Sequence, residues 1–290
     1  MKGLKKILAL GLFVLVFSAA LGAQSLRGMG LNGATGLYTI PTAWIGWDKN
    51  AKVGLDFGYH AVAADSRFSH IPAVSLSLFR WLEISAALDI QPEYIHDYIY
   101  NDDLLLGLKV QFPPDLISGG TSLAFGGNFQ IHNLKDGDES KPADKKRGSE
   151  DTAFQIYGVV SYQGVFFTMP AETTVVLGKT FILQDAPGFD KTRESKNIDF
   201  GMGFDLALFP KALRNYVHLI IDFSNFAYSV LPYPLDISGR GILNAGIRFN
   251  LAGIPPLRKF KFNVDILGAD LLDESRAFSF GLVFGVPISS

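Results

Sequence analysis

The sequence predicts an all-β fold, an antiparallel transmembrane barrel of the outer-membrane kind with about 12 strands, within a range of roughly 10–14. Three observations predict it. Short segments alternating apolar and polar residues recur along nearly the whole chain. The links between them alternate in kind, one set short and Pro-bearing, the other polar and mostly longer. The composition, 48% hydrophobic with 24 Phe and 30 Gly, is apolar without any long apolar run beyond the N-terminus. That is what strands greasy on alternate positions only would give.

The clearest strand is residues 197–209, NIDFGMGFDLALF. Ile198, Phe200, Met202, Phe204, Leu206 and Leu208 fall on one parity, and Asp199, Gly201, Gly203, Asp205 and Ala207 on the other. Successive strand side chains point to opposite faces, so one face is apolar and one polar.

Before the strands come two other segments. Lys2, Lys5 and Lys6 precede an apolar run over 7–20, followed by Gly22 and Ala23, which predicts a secretory signal peptide over residues 1–23. The run is short for a spanning helix, which needs about 20 residues. Removing the segment lowers Lys plus Arg from 26 to 23 against 28 acidic residues, a net charge of −5. Nucleic acid is therefore not an expected partner. The chain has no Cys, hence neither a disulfide framework nor a lipid-modified N-terminal Cys.

Residues 24–50 form a Gly-rich lead-in, QSLRGMGLNGATGLYTIPTAWIGWDKN, which could plug a barrel. Gly28, Gly30 and Gly33 spell G-x-G-x-x-G, but the dinucleotide reading requires a preceding strand and a following helix, and neither is present in the pattern. The run Gly33-Ala34-Thr35-Gly36-Leu37 followed by Pro41-Thr42-Ala43 resembles the mature N-terminus of the YjbH-type outer-membrane barrels linked to exopolysaccharide export. The resemblance covers about a dozen residues plus the strand pattern, and it implies an envelope location and a polysaccharide-related role. Trp44 and Trp47 are expected at a membrane interface.

The barrel is expected over residues 51–288. Val53, Leu55, Phe57 and Tyr59 open it, opposed by Gly54, Asp56, Gly58 and His60. Val74–Leu78, Leu82–Gln91, Leu104–Phe112, Leu123–Ile131 and Phe154–Tyr162 continue the alternation. Residues 172–183 are β-rich with unclear parity; the strand over 197–209 follows, then 216–228, 241–251, 260–266 and 276–286. Strands of about 10 residues tilted by about 45° cross a bilayer. The even links (Arg80-Trp81, Pro113-Pro114, residues 164–170, Pro210, Pro255-Pro256) mostly carry Pro, which cannot donate to a ladder. They are expected as periplasmic turns, with both termini on that side. Trp81, Phe112, Tyr162, Phe209, Tyr216 and Phe260 lie near strand ends, as an interfacial girdle would require. One departure is the run past the last aromatic strand to Pro287-Ile288-Ser289, where a terminal aromatic resembling an assembly signal is usual.

Candidate chemistry is sparse. Gly178-Lys179-Thr180 resembles the end of a phosphate loop, but Thr173 stands where the opening Gly should be, so it reads as strand. The five His residues lack metal-ligand spacing, and neither a metal nor another cofactor is expected. Ser69-His70 and Ser224-Asn225 resemble fragments of outer-membrane hydrolase sites, but His218 and Ser224 lie roughly 20 Å apart along a strand. Residues 133–151, with five basic and six acidic side chains, read as a solvated surface loop.

The inward faces carry the functional expectation. They place Asp56, His60, Glu83, Asp89, Lys109, Asn128, Gln130, Asp199, Asp205, His218, Asp222, Asn244, Arg248, Lys261 and Asp265 on the lumen. Acid outweighs base there, which favours a cation-preferring conduit for a small solute or polysaccharide, with no catalytic residues. The alternatives are a closed structural barrel whose outer loops bind a partner, and a barrel-embedded hydrolase. Membrane lipid and the barrel-assembly machinery are the other expected partners.

Overall fold

A computed structural model describes residues 27–47, 51–64, 67–91, 99–113, 120–136, 148–184, 198–213, 216–228, 241–251, 254, 257, 260–272 and 276–289. The expected signal peptide and residues 137–147 of the polar loop lie outside the described residues. Twelve strands run in sequence order around a closed antiparallel barrel. They are β1 (Val53–Ala64), β2 (Arg67–Leu78), β3 (Leu82–Ile90), β4 (Ile99–Gln111), β5 (Thr121–Asp136), β6 (Gly148–Phe166), β7 (Met169–Gln184), β8 (Asp199–Ala207), β9 (Val217–Ser224), β10 (Ile242–Asn250), β11 (Lys261–Ala269) and β12 (Ala277–Ser289). β1 closes on β12, with Asp56 opposite Gly285 and Tyr59 opposite Leu282. Closure pairs every strand on both sides, so no sheet edge is left open.

Alternation decides which way each strand faces. Leu106, Leu108, Phe125, Ile156, Leu177, Met202 and Phe278 are exposed on the outside, while Ser85, Asp89, Lys109, Ser161 and Asn244 are buried inside. An apolar exterior around a polar interior inverts the soluble pattern and suits a barrel bathed in hydrocarbon, where each backbone polar group must be paired within the sheet. The parity of residues 172–183 is settled: Thr174 and Val176 are buried inside, Val175 and Leu177 are exposed outside. Inward Val176 is what blurs the alternation in the sequence.

The end at which β1 begins and β12 finishes is called here the near end. Its links include the three-residue turn Phe79-Arg80-Trp81 and the two-residue turn Phe167-Thr168, with Phe79, Arg80, Phe167 and Thr168 all at positive φ, and a helical turn at Pro210–Leu213. The expected link over 164–170 is thus mostly strand, because β6 and β7 pair down to Phe166 opposite Met169. Other strands also outrun their expected limits. β2 begins at Arg67 rather than Val74, and β5 and β6 extend into the expected loop over 133–151, pairing Lys135 with Gly148. Backbone pairing beyond the bilayer needs no apolar alternation, so it leaves no trace in the pattern. Residues Pro287–Ser289 belong to β12 and pair with the start of β1.

Residues 27–47 lie inside the barrel and are almost entirely buried. Isolated bridges join Met29 to Thr35 and Gly36 to Pro41, and Arg27 Nη1 donates to the Ile45 carbonyl at 3.2 Å. The segment therefore enters and turns back toward the near end. Trp44 and Trp47 are consequently not interface residues: each is only 5% exposed. Trp47 Nε1 donates to Asp56 at 2.7 Å, and the Arg27 guanidinium lies 4.3 Å over the Trp44 ring. Their amphipathic rings serve a polar interior instead of a lipid headgroup region. Trp81, Tyr162 and Phe209 are exposed, and Phe112, Tyr216 and Phe260 half-exposed, all at the near end.

Candidate functional site: the lumen

The inward side chains meet the lead-in rather than an empty bore. Glu83 on β3 accepts the Thr35 N–H at 2.9 Å, the Thr35 hydroxyl at 2.5 Å and the Gly46 N–H at 3.2 Å. Asp222 on β9 accepts the N–H groups of Tyr38 and Thr39, each at 2.8 Å, and Asn244 Nδ2 at 2.7 Å. Ser161 accepts the Ala43 N–H and Gln111 the Ile45 N–H. A segment without a ladder of its own must find partners for its backbone groups, and the wall provides them.

Three buried ion pairs brace this arrangement. Lys109 lies 2.9 Å from Glu83 and donates to the Thr35 carbonyl at 3.0 Å. Arg248 grips Asp265 through two nitrogens, at 2.8 and 2.7 Å, and reaches the Gly36 carbonyl at 3.3 Å. Lys261 lies 2.6 Å from Asp56, whose other oxygen receives Trp47. Each cation therefore answers a wall carboxylate, and two also hold lead-in carbonyls.

The remaining expected lumen residues also face inward. His60 contacts the Met29 carbonyl at 3.1 Å, and Asp89 accepts the Ser69 hydroxyl. Asp199 accepts Gln155 Nε2 at 2.8 Å and the Thr180 hydroxyl at 2.6 Å. Asn128 is buried against Asn32, Gln155 and Tyr228, while Gln130 is half-buried with Nε2 on the Tyr228 carbonyl. Asp205 and His218, 2.6 Å apart and partly exposed, sit toward the near end. Gly201 and Gly203, which separate Asp199 from Asp205 on β8, leave no open space: a Cβ at Gly203 would collide with Leu37 and Ile40.

The motif residues of the lead-in gain a physical account. Gly33 has φ +78 and lies against the Ala86 carbonyl, where a Cβ would come within 2.7 Å. Thr35 binds Glu83, Leu37 covers Gly203, and the Ala43 carbonyl accepts the Ser122 hydroxyl at 3.3 Å. Sequence reasoning missed Gln155 and Asp103, both buried inside. Parity could have found Gln155, which alternates with exposed Phe154 and Ile156. Tyr228 shares the inward parity of His218 and Asp222, but the pattern does not show that β9 ends at Ser224 or that Tyr228 reaches across to β5 and β6. Burial pushes the Tyr38 hydroxyl above the usual tyrosine range, and burial with the nearby Tyr157 and Asp199 does the same to Tyr228. Both stay protonated.

The hydrolase fragments do not converge. Ser69 is buried inside and His70 faces outward beside the Tyr59 hydroxyl. Ser224 donates to the Phe226 carbonyl at 2.8 Å.

No family model matches the chain, and no curated protein matches it. Among solved structures, the KdgM porin aligns with 7% identity over 79% of this chain and 98% of its own, at a TM-score of 0.48. Omp33 of Acinetobacter baumannii aligns with 8% identity over 83% and 100%, at 0.41. OprD of Pseudomonas aeruginosa aligns with 9% identity over 92% and 99%, at 0.32. At these values no function is carried across.

Proposed function

We propose that the protein is a bacterial outer-membrane conduit closed at rest by its own N-terminal segment, which acts as a plug. The observation that carries this reading is the pattern of lead-in contacts, which draw on β1, β3, β4, β5, β6, β9, β10 and β11. The segment is held both by these hydrogen bonds, which water can replace one at a time, and by an apolar cluster in which Met29, Leu31, Leu37 and Ile40 join wall residues Val62, Ile71, Leu105 and Ile220. With the plug withdrawn, Asp222 would lose its backbone partners and face the path, while Glu83, Asp56 and Asp265 keep Lys109, Lys261 and Arg248. Among the described residues the buried inward carboxylates outnumber these three cations, which favours an acidic, cation-preferring lumen. The termini are assigned to the periplasmic side, after removal of residues 1–23 and folding by the barrel-assembly machinery.

The finer reading, a path for polysaccharide as in the YjbH-type barrels, rests on the lead-in motif. A second reading, a permanently closed structural barrel, is favoured by the three buried ion pairs, which make the plug part of the core. No catalytic chemistry is assigned.

Planar-bilayer recording separates the two readings. The mature chain is expected to be mostly silent, and a variant lacking residues 27–47 to show steady unitary current with cation preference at low salt. Absence of current from the folded, heat-modifiable deletion variant, both as it stands and with Phe226→Ala and Tyr228→Ala added, would overturn the conduit reading and leave the structural one. Current without cation preference would remove the acidic-lumen argument. Vesicle swelling with neutral and anionic oligosaccharides, run on the conducting variant, tests the polysaccharide reading; exclusion of both would end it.

A further inference from the structure

We infer that the conduit is closed a second time, from the far end, by Phe226 and Tyr228, and that Asn128 joins this closure to the plug. The inference rests on the conduit reading above.

The chain leaves β9 at Ser224, where a barrel strand ordinarily gives way to a solvated loop. Here it is clamped and turned inward. Asn225 stays on the wall: its N–H donates to the Phe200 carbonyl at 3.0 Å, its side-chain oxygen accepts the Phe200 N–H at 2.7 Å, and its Nδ2 donates to the Ile198 carbonyl at 3.0 Å. Ser224 then holds the Phe226 carbonyl at 2.8 Å. Phe226 and Tyr228 are 7% and 3% exposed, with their rings edge to face at 5.6 Å.

Tyr228 does not follow its own wall. Its hydroxyl accepts Asn128 Nδ2 from β5 and donates to Gln155 Oε1 from β6, both at 2.8 Å, while its carbonyl accepts Gln130 Nε2 at 3.3 Å. β9 and β5 stand four strands apart in the barrel order, so the contact crosses the lumen. The network continues from Gln155 to Asp199 and Thr180, so it has no loose end on the wall side.

Asn128 carries the coupling. Its Oδ1 accepts Asn32 Nδ2 from the plug at 3.3 Å, while its Nδ2 serves Tyr228 and Gln155. Turning the amide over would set two donors against each other at Asn32, so one side chain must satisfy both closures in one orientation. A second contact runs beside it. Plug Ile40 and Phe226 both pack over Gly201, where a Cβ would lie 2.7 and 3.4 Å from them. Withdrawing the plug strips one partner from Asn128 and the apolar neighbour from Phe226, which loosens the second closure. Conversely, swinging Tyr228 out frees Asn128 from one side. Aromatic rings across a bore also restrict passage on their own, as a constriction that sheds water.

Unitary currents of four proteins test this: the mature chain, its Tyr228→Phe variant, the chain lacking residues 27–47, and that deletion carrying Phe226→Ala and Tyr228→Ala. The added substitutions are expected to raise the unitary conductance of the deletion variant by roughly twofold or more. Tyr228→Phe, which removes one hydroxyl and keeps the ring, should raise the opening frequency of the mature chain and leave its unitary conductance unchanged. A deletion variant that is silent until the substitutions are added supports the second closure most directly. Equal conductance with and without Phe226→Ala and Tyr228→Ala overturns the inference while leaving the plug intact as a reading. An unchanged opening frequency in Tyr228→Phe overturns the coupling through Asn128. Silence from both folded deletion variants overturns the conduit itself.

Discussion

Asp222 holds two consecutive backbone groups of the lead-in at once. Its two carboxylate oxygens divide the work, one taking the Tyr38 and Thr39 N–H groups and the other Asn244. Alanine there leaves two buried backbone donors without an acceptor, each costing about 1–3 kcal/mol. The Asp222→Ala variant should therefore populate the withdrawn plug at least tenfold more than the parent, given about 1.4 kcal/mol per decade. Labelling of a Cys placed at Thr39 by a water-soluble reagent measures this, and an unchanged labelling rate would show that the latch lies elsewhere. The Glu83–Lys109 pair makes a different prediction. Breaking a buried pair on one side costs about 3–5 kcal/mol, whereas replacing both members with apolar groups is often near neutral. Glu83→Gln should thus destabilise the barrel more than the double variant Glu83→Gln with Lys109→Met. Urea unfolding in vesicles gives the ordering, and the reverse order would mean that the pair is not held as a unit.

Among the elements, the near-end hairpins set an unusual condition. Two-residue turns between antiparallel strands favour positive φ at both central positions, and Asn or Gly supplies it most cheaply. Here Phe167 and Thr168 supply it instead, with φ of 45 and 71, and Phe79 and Arg80 of the three-residue turn stand at 54 and 67. Thr168 is β-branched and carries the largest penalty, of order 1–2 kcal/mol for an L-residue held there. Thr168→Gly should stabilise the β6–β7 hairpin by about 1 kcal/mol after the entropic loss of Gly is subtracted. A lowered urea midpoint would show that the side chain gives more than its backbone strain takes. Phe79 and Phe167 are among the most exposed apolar residues of the chain, and Phe79 stacks on Trp81 with centroids 6.0 Å apart. Their rings thus sit where an interface would receive them, which offsets the turn strain.

Eleven of the twelve strands were legible because a period of two leaves its mark wherever one face meets lipid and the other does not, while β7, with Val176 turned inward, was marked only by its β-rich composition. Strand ends were less legible. β5 and β6 stay paired through 133–135 and 148–150, and Phe166 and Met169 hide a turn that no Gly or Asn announces. The inward residues of the site were legible from the same parity, Asp222 and Arg248 among them. Their partners were not, because the lead-in has no periodicity, and Trp44 and Trp47 carry the same residue type whether they meet headgroups or an Asp carboxylate. Tyr228 was placed on the β9 strand because nothing in its neighbourhood distinguishes a strand that continues from one that folds across the lumen.

At the scale of the molecule, the barrel has two environments and one wall between them. Inside, polar side chains and a buried segment share hydrogen bonds, and outside Leu106, Leu108, Phe125, Ile156 and Leu177 stand exposed on the neighbouring strands β4 to β7. In water such a surface would be far larger than a monomer tolerates; in hydrocarbon it is the ordinary exterior. The two cases differ in how they treat charge at depth. Leu106 is 44% exposed at the middle of β4, while Phe166, at 48% and on the same outward face as Val160 and Tyr162, is the last residue of β6. Arginine on the lipid face costs about 2–4 kcal/mol at the bilayer midplane and about 0–1 near the interface. On a soluble surface both substitutions would fall within about 0.5 kcal/mol of the parent. Leu106→Arg should therefore lower the folding free energy in lipid vesicles severalfold more than Phe166→Arg, and the size of the gap reads depth directly. Equal, small effects at the two sites would take this exterior out of the membrane, and with it the reason for closing the lumen at all.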